Sequence, residues 1–294
     1  LGGAGYGPLE HGFQVNVGGC EAGSPGRGGY FSPWSIPALK DVDVPPNTYL
    51  TDYLTDRTLE LIRDTKDEPF FLSLCYYSVH TPIQAKPEKI AKYEAKAKAM
   101  GLDPTDAIVA GDHYPSEHKR RHRIQRRVVQ SDPVYAAMIE SLDEGIGRVL
   151  DVLEETGKAE NTIIFFTSDN GGLATSEGSP TCNAPLAEGK GWMYEGGTRE
   201  PLMVRWPGHI APGSTCTTPV TSTDFYPTML EIAGLDPLPE QHTDGVSILP
   251  LLRGGDTLDR EAIFWHYPHY GNQGGTPGSS IRMGDFKLIE FLDR

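Results

Sequence analysis

The chain has 294 residues, 38% of them hydrophobic, and a formal charge of -14. That length accommodates one large domain, or one domain and part of another, with enough apolar surface for a core and no case for wholesale disorder. The acidic balance argues against a general nucleic-acid binder and suits a protein that holds a divalent cation.

The stretch Leu1–Pro8 has neither a charged n-region nor an apolar h-region, and there is no initiator Met. The reading is of a chain that begins within a domain, with any signal peptide upstream. No run of about 18 apolar residues is present to span a membrane. The first 48 residues are rich in Gly and Pro, the composition of active-site loops. From Tyr49 the apolar spacing predicts a helix that stops at Asp67-Glu68-Pro69. Residues 70–77 (Phe-Phe-Leu-Ser-Leu-Cys-Tyr-Tyr) read as a continuous strand buried on both faces, with Cys75 an inert buried thiol. A loop, Ser78-Val79-His80-Thr81-Pro82, follows, and then a Lys-rich surface helix from Pro87 to Met100.

Residues 101–131 read as polar and irregular, with a basic cluster at Lys119, Arg120, Arg121, Arg123, Arg126 and Arg127. Such a cluster grips a polyanion or is a solvated loop face, and the weak worth of exposed charges favours the second. A long helix is predicted next: Asp132 caps it, Pro133 opens it and Gly157 closes it, with Val134, Met138, Ile139, Leu142, Ile146, Val149, Leu150 and Leu153 on one face. Asn161–Thr167 reads as a strand that ends in Ser168-Asp169-Asn170-Gly171-Gly172, and Leu202–Trp206 as another. Thr223–Ala233 reads as a helix capped by Thr223 or Asp224 and closed by Gly234. After Leu252 the character changes. Residues 262–265 and 281–289 read as strands, with Gly284-Asp285 as a hairpin turn. The organisation predicted is a main α/β domain over 1–252 and the start of a smaller subdomain over 253–294. The four cysteines show no C-x-x-C spacing.

The strongest chemical signal is Asp169-Asn170-Gly171-Gly172 at the carboxyl end of a strand, where open α/β sheets bind ligands. A carboxylate beside an amide carbonyl offers two hard oxygens, suited to Ca²⁺ or Mg²⁺ and poorly to zinc. The same composition is common in turns. Lys190, between Gly189 and Gly191, can bring a compact cation to a bound oxyanion. His80, just past a strand, can bind an oxyanion or protonate a leaving oxygen. The His/Tyr-rich stretch Trp265–Gly275, with His266 and His269, reads as a loop that lines a sugar pocket or packs on the core.

In order along the chain, these segments resemble the sulfatases of the alkaline-phosphatase-like superfamily, closest to the arylsulfatase type. The resemblance starts at Leu1-Gly2 and His11-Gly12-Phe13, and runs through Pro69-Phe70-Phe71-Leu72, Val79-His80-Thr81-Pro82 and Ser168-Asp169-Asn170-Gly171. It continues with Gly189-Lys190-Gly191, Tyr194-Glu195-Gly196-Gly197-Thr198-Arg199-Glu200-Pro201, Trp206-Pro207-Gly208 and Thr223-Asp224-Phe225-Tyr226-Pro227-Thr228. Asp244-Gly245-Val246-Ser247 and Arg282–Leu288 complete it.

The resemblance implies a three-layer α/β/α sandwich with a mixed central sheet and a small C-terminal antiparallel subdomain. It implies hydrolysis of aryl sulfates or sulfated carbohydrates, with Ca²⁺ (or Mg²⁺) on Asp169 and Asn170. Lys190 and His80 would contact sulfate, one of them assisting departure of the alcohol, and Arg199 would hold the Tyr194–Pro201 loop. It also implies a formylglycine nucleophile, made in a C-x-P/A-x-R motif that none of Cys20, Cys75, Cys182 or Cys216 fits. The expectation is therefore a nucleophile upstream of Leu1, an isolated chain without sulfatase activity, and weak metal binding. The family's compartments are periplasmic, extracellular or lysosomal. A phosphodiesterase or phosphonate hydrolase of the same superfamily, and a non-catalytic binder of sulfated glycans, remain open alternatives.

Overall fold

The structure is a computed structural model and describes residues 3, 5–102 and 104–292; Leu1 and Gly2, where the family resemblance starts, lie outside them. Contacts divide the chain into two compact units, one of residues 1–107 and 129–159, the other of 108–128 and 160–294.

The first unit is built on three helices. Helix α1 (Leu50–Asp64) turns Leu50, Leu54, Leu59 and Ile62 inward, helix α2 is Pro87–Ala99, and helix α3 is Pro133–Glu155. Asp132 caps α3 by accepting hydrogen bonds from Val134 N and Tyr135 N, each 3.0 Å, and Gly157 closes it at φ 69°. The buried stripe of α3 is Ala137, Met138, Ser141, Gly145, Val152 and Leu153, whereas the expected core residue Ile139 is 43% exposed. Close helix approach explains the shift toward small residues. A Cβ on Gly145 would lie 2.7 Å from Thr55 Oγ1 of α1 and 3.1 Å from the Tyr76 hydroxyl. Helix α2 is less of a surface element than its lysines suggest, because Lys89 is buried and pairs with Glu140 (2.9 Å) and Glu144 of α3.

Residues 70–77 differ from expectation. They run extended but form no ladder with any described strand. Leu74, Tyr76 and Tyr77 pack on the core, while Phe71 (63% exposed) and Cys75 face solvent. One face of the segment is covered and the other is not, so the thiol expected inside is outside.

The second unit opens with another departure. Residues 108–127, expected as irregular loop, form an antiparallel hairpin of β1 (Ile108–His113) and β2 (Arg123–Arg127). Strands β3 (Ile164–Thr167) and β4 (Leu202–Arg205) pair antiparallel, Thr167 opposite Leu202. Between them lies a single turn, α4 (Glu195–Thr198). Helices α5 (Phe225–Ile232) and α6 (Leu249–Leu252) follow, then a three-stranded antiparallel sheet of β5 (Ile263–Tyr267), β6 (Gly278–Met283) and β7 (Phe286–Phe291). Trp265 to Tyr267 are thus strand residues rather than loop, and Gly284 at φ 55° makes the β6–β7 turn. The described strands pair only antiparallel, in sheets of two, two and three.

The start of α5 is held by a buried ion. Asp224 is fully buried and accepts from Thr221 N (2.8 Å), Val246 N (3.0 Å) and Arg260 Nη1 (2.6 Å). Thr221 caps the 3-10 turn Ser222–Asp224 in a reciprocal capping box with Asp224, and Asp224 is in turn the N-cap residue of α5, although its side chain makes no capping bond to that helix. Thr228 Oγ1 extends the network by donating to Asp224 O and accepting from Ile248 N. Removing one member of a buried pair leaves an uncompensated charge. Asp224→Ala is expected to cost about 3–5 kcal/mol, read as an earlier urea unfolding transition. A transition matching the parent's would show that the pair adds no net stability.

Candidate functional site

Three backbone segments of the second unit meet at glycines. Gly171 and Gly172 follow β3, Gly189 precedes Lys190, and Gly196 and Gly197 lie in α4. A Cβ on Gly171 would fall inside the Gly196 carbonyl, one on Gly189 inside the Gly172 carbonyl, and one on Gly197 inside the Gly189 carbonyl. No residue with a side chain permits that approach. Hydrogen bonds join the same segments: Lys190 N donates to Gly172 O (3.2 Å), Gly196 N to Ala187 O (2.8 Å), and Asn183 Nδ2 to both Gly172 O and Glu188 O (2.8 Å each). Lys190 is therefore tied through its own backbone to the turn that begins with Asp169-Asn170.

Glu188 is left-handed at φ 61°, a costly conformation for a residue with a Cβ. It is held from the hairpin by Arg126, whose Nε and Nη2 donate to the two Glu188 oxygens at 3.0 and 2.5 Å. Glu195 anchors α4 to the C-terminal sheet by accepting from Lys287 Nζ (3.2 Å) and Arg282 Nη1 (3.4 Å). Lys287 also donates to Thr198 Oγ1 (2.6 Å) and lies 4.7 Å over the Trp265 ring. Arg199, expected to hold this loop, is exposed and its side chain bonds no described residue. Glu195 does the holding.

Asp169 is exposed and Asn170 partly buried at the strand end, and neither side chain hydrogen-bonds a described residue. Asp169 and Glu200 lie just beyond the last β3–β4 pair, Thr167–Leu202, and their charges interact. Burial, and then the charge of Asp169, push the Glu200 carboxyl up to about 7. Its Oε1 is buried with no hydrogen-bond partner among the described residues. Among those residues no group of three or more His, Cys, Asp or Glu could hold a metal.

His80 belongs to the first unit, at the end of the extended segment. The buried Tyr30 hydroxyl donates to Tyr77 O (2.7 Å) and His80 O (2.8 Å); burial, with Tyr49 nearby, raises its pKa and keeps it a donor. His80 Nδ1 lies 2.7 Å from Thr81 O. A carbonyl only accepts, so Nδ1 carries the proton and Nε2 is the acceptor of the neutral ring.

His266 and His269 are both exposed; His266 Nδ1 lies 2.8 Å from Ser279 Oγ, and His269 meets Tyr267 edge-on at 5.1 Å. It is the next stretch, Gly271–Thr276, that reaches the Lys190 loop. A Cβ on Gly275 would fall inside the Gly191 carbonyl, and one on Gly191 would lie 2.6 Å from Gln273 Oε1. Composition drew attention to the histidines, yet the glycines beside them make the contact.

The family model for sulfatases matches residues 10–235, and that for the C-terminal region of N-sulphoglucosamine sulphohydrolase matches 188–294. A sulfatase of Formosa agariphila is 40% identical over 248 residues, covering 79% of this chain and 39% of that protein. N-acetylgalactosamine-6-sulfatase of Mus musculus is 36% identical over 154 residues, covering 52% of this chain and 28% of that protein. The chain thus spans less than half the length of these relatives. The crystal structure of Ps i-CgsB in complex with k-i-k-neocarrahexaose is similar with a TM-score of 0.66 at 28% identity, over 86% of this chain and 49% of that one. The chain belongs to the sulfatase family and has its alkaline-phosphatase-like α/β fold.

Proposed function

We propose that this protein hydrolyses sulfate esters, aryl sulfates or sulfated carbohydrates, at a site to which the second unit contributes Asp169, Asn170 and Lys190; His80, in the first unit, is proposed as a sulfate contact on the family resemblance alone. The observation that carries the reading is the glycine lock, which bonds the Lys190 backbone to Gly172 and so ties a cation to the strand end bearing two hard oxygens. In the net reaction water adds an oxygen to sulfur as the ester S–O bond breaks, and the alcohol leaves with a proton. The Lys190 ammonium neutralises sulfate charge held near it. The His80 ring is oriented by Thr81 O, and once protonated at Nε2 it gives its proton to the departing alcohol oxygen. His266 and His269 are candidates for contact with a sugar rather than with sulfate, since both are exposed.

The residues fit a hard divalent cation. Asp169 and Asn170 offer a carboxylate and an amide oxygen, and Glu200 Oε1, whose carboxyl feels the Asp169 charge, is buried without a hydrogen-bond partner among the described residues. Ca²⁺, or Mg²⁺, is held by Asp169 and Asn170 in this reading and when bound supplies Lewis-acid polarisation of the sulfate oxygens. The formylglycine implied by the family has no C-x-P/A-x-R source within the 294 residues. The roles proposed here are accordingly binding, charge neutralisation and proton transfer. A periplasmic, extracellular or lysosomal location accords with the family, and no helix among the described residues is long and apolar enough to cross a membrane.

Lys190→Ala is expected to weaken calorimetrically measured binding of a monosaccharide 6-sulfate by about tenfold or more, the worth of one charged hydrogen bond. Undiminished affinity would remove Lys190 from the site. A second expectation concerns pH in the metal-free chain. Glu200 ionises near 4.5 when unfolded and at about 7 when folded. Between those values the folded state keeps a proton the unfolded state has lost, so stability falls as pH rises across that window. Glu200→Gln should flatten that slope in urea titrations with chelator present; a slope identical to the parent's would count against a buried, protonated Glu200.

A further inference from the structure

Residues 108–128 carry six Lys and Arg against two acids, a net +4 that leaves -18 for the rest of the chain. Three of the nine histidines, His113, His118 and His122, lie in the same segment. The structure separates these bases into two kinds. Arg126 clamps Glu188, and Arg127 is buried with its Nε donating to Ser179 O. Lys119 donates to Asn272 O (3.2 Å) and lies 5.1 Å over the Tyr114 ring. These three are anchors. Arg120, Arg121, His122 and Arg123 are exposed instead. Of them, Arg123 donates to Gly111 O (3.0 Å), while the side chains of Arg120 and Arg121 bond no described residue.

Solvated arginines are ordinary; arginines concentrated in a strongly acidic protein, on a hairpin bolted to its candidate site, are not. Arg126 fixes the residue two before Lys190, and Lys119 fixes the loop that packs on Gly191, the residue after it. A third contact comes from Ile124, because a Cβ on Gly274 of that loop would lie 2.7 Å from its Cδ1. The cationic turn is therefore carried by the same framework as the sulfate-binding lysine. Guanidinium groups match the oxygens of sulfate as they match those of phosphate, and two adjacent ones favour a ligand with repeated anionic groups.

We propose that the exposed end of the β1–β2 hairpin, residues 120–123, is an anion-binding arm that holds sulfate groups of a linear polysulfated glycan outside the bond being cleaved. The inference rests on the sulfate-ester reading of the Lys190 site and names its substrate class as polymeric. Its worth falls with ionic strength, because exposed charges are screened beyond about 10 Å at 0.1 M salt.

The test is calorimetry of the full chain with a monosaccharide 6-sulfate, a heparin octasaccharide, the same octasaccharide desulfated, and a single-stranded DNA of matched charge. The double variant Arg120→Glu/Arg121→Glu is expected to bind the sulfated octasaccharide about tenfold or more weakly, as for charge reversal at an electrostatic contact, while monosaccharide binding is kept. Octasaccharide affinity equal to the parent's overturns the arm. Equal binding of DNA and octasaccharide, both lost in the variant, overturns it in favour of a general polyanion surface. If the monosaccharide fails to bind the parent while octasaccharide binding still depends on both arginines, the arm stands and the Lys190 reading falls. Should the variant melt early, the Arg120→Gln/Arg121→Gln pair reads the same outcomes.

Discussion

The contact of Gly171 with the Gly196 carbonyl is the constraint from which the rest of the second unit follows. With side chains absent at Gly171, Gly172, Gly189, Gly196 and Gly197, three loops approach to backbone contact and exchange hydrogen bonds that no larger residue would leave room for. Asp169, Asn170 and Lys190 then project from a fixed frame. Loops that carry polar chemistry are commonly mobile. Here they are braced before any ligand arrives, which is what preorganised electrostatics requires. The cost is a left-handed Glu188 and a row of glycines, both of which favour the unfolded chain.

Ion pairs do the bracing at the rim of that frame. Arg126 holds Glu188 from the hairpin, and Lys287 with Arg282 holds Glu195 from the C-terminal sheet. Each spans a large sequence separation and joins a different element to the same loops. Glu200 is the exception, a partly buried carboxyl with one oxygen that finds no hydrogen-bond partner among the described residues, close enough to Asp169 to feel its charge. A protein of charge -14 thus keeps two acids close at one strand end. Such an arrangement is unfavourable in isolation and favourable with a cation present.

Much of this was legible in the sequence, for identifiable reasons. The helices at 50–64, 87–99 and 133–155 follow strong periodicity and capping signals, and Asp132, Pro133 and Gly157 act as their chemistry dictates. The turn at Gly284 and the strands at 164–167 and 202–205 follow equally local rules. Non-local facts were not readable. The 70–77 run looks buried on both faces, but burial depends on what packs against it, and Phe71 and Cys75 face outward. The hairpin at 108–127 was hidden because charged strands such as Arg-Ile-Gln-Arg-Arg lack the usual β composition. At the site, Asp169 and Lys190 stood out through their glycines, whereas Glu195 acts through Arg282 and Lys287 far along the chain and Glu200 through the charge of Asp169. The antiparallel pairing of β3 and β4 is the signal that would have found Glu200, since it brings the chain just before Leu202 back to the strand end that carries Asp169.

In the proposed function the Asp169–Asn170 strand end holds a divalent cation. Two protein oxygens are fewer than the six to eight that Ca²⁺ takes, so binding is expected to be weak, of the order of millimolar by comparison with the weakest extracellular calcium modules. The direct measurement is a Ca²⁺ titration of the purified chain, followed by calorimetry and by the backbone amide signals of residues 168–172. The expected result is saturable binding, on the order of millimolar, that shifts those signals and disappears in Asp169→Ala. Binding that is undiminished in that variant, or shifts confined to other acidic surfaces, would contradict it.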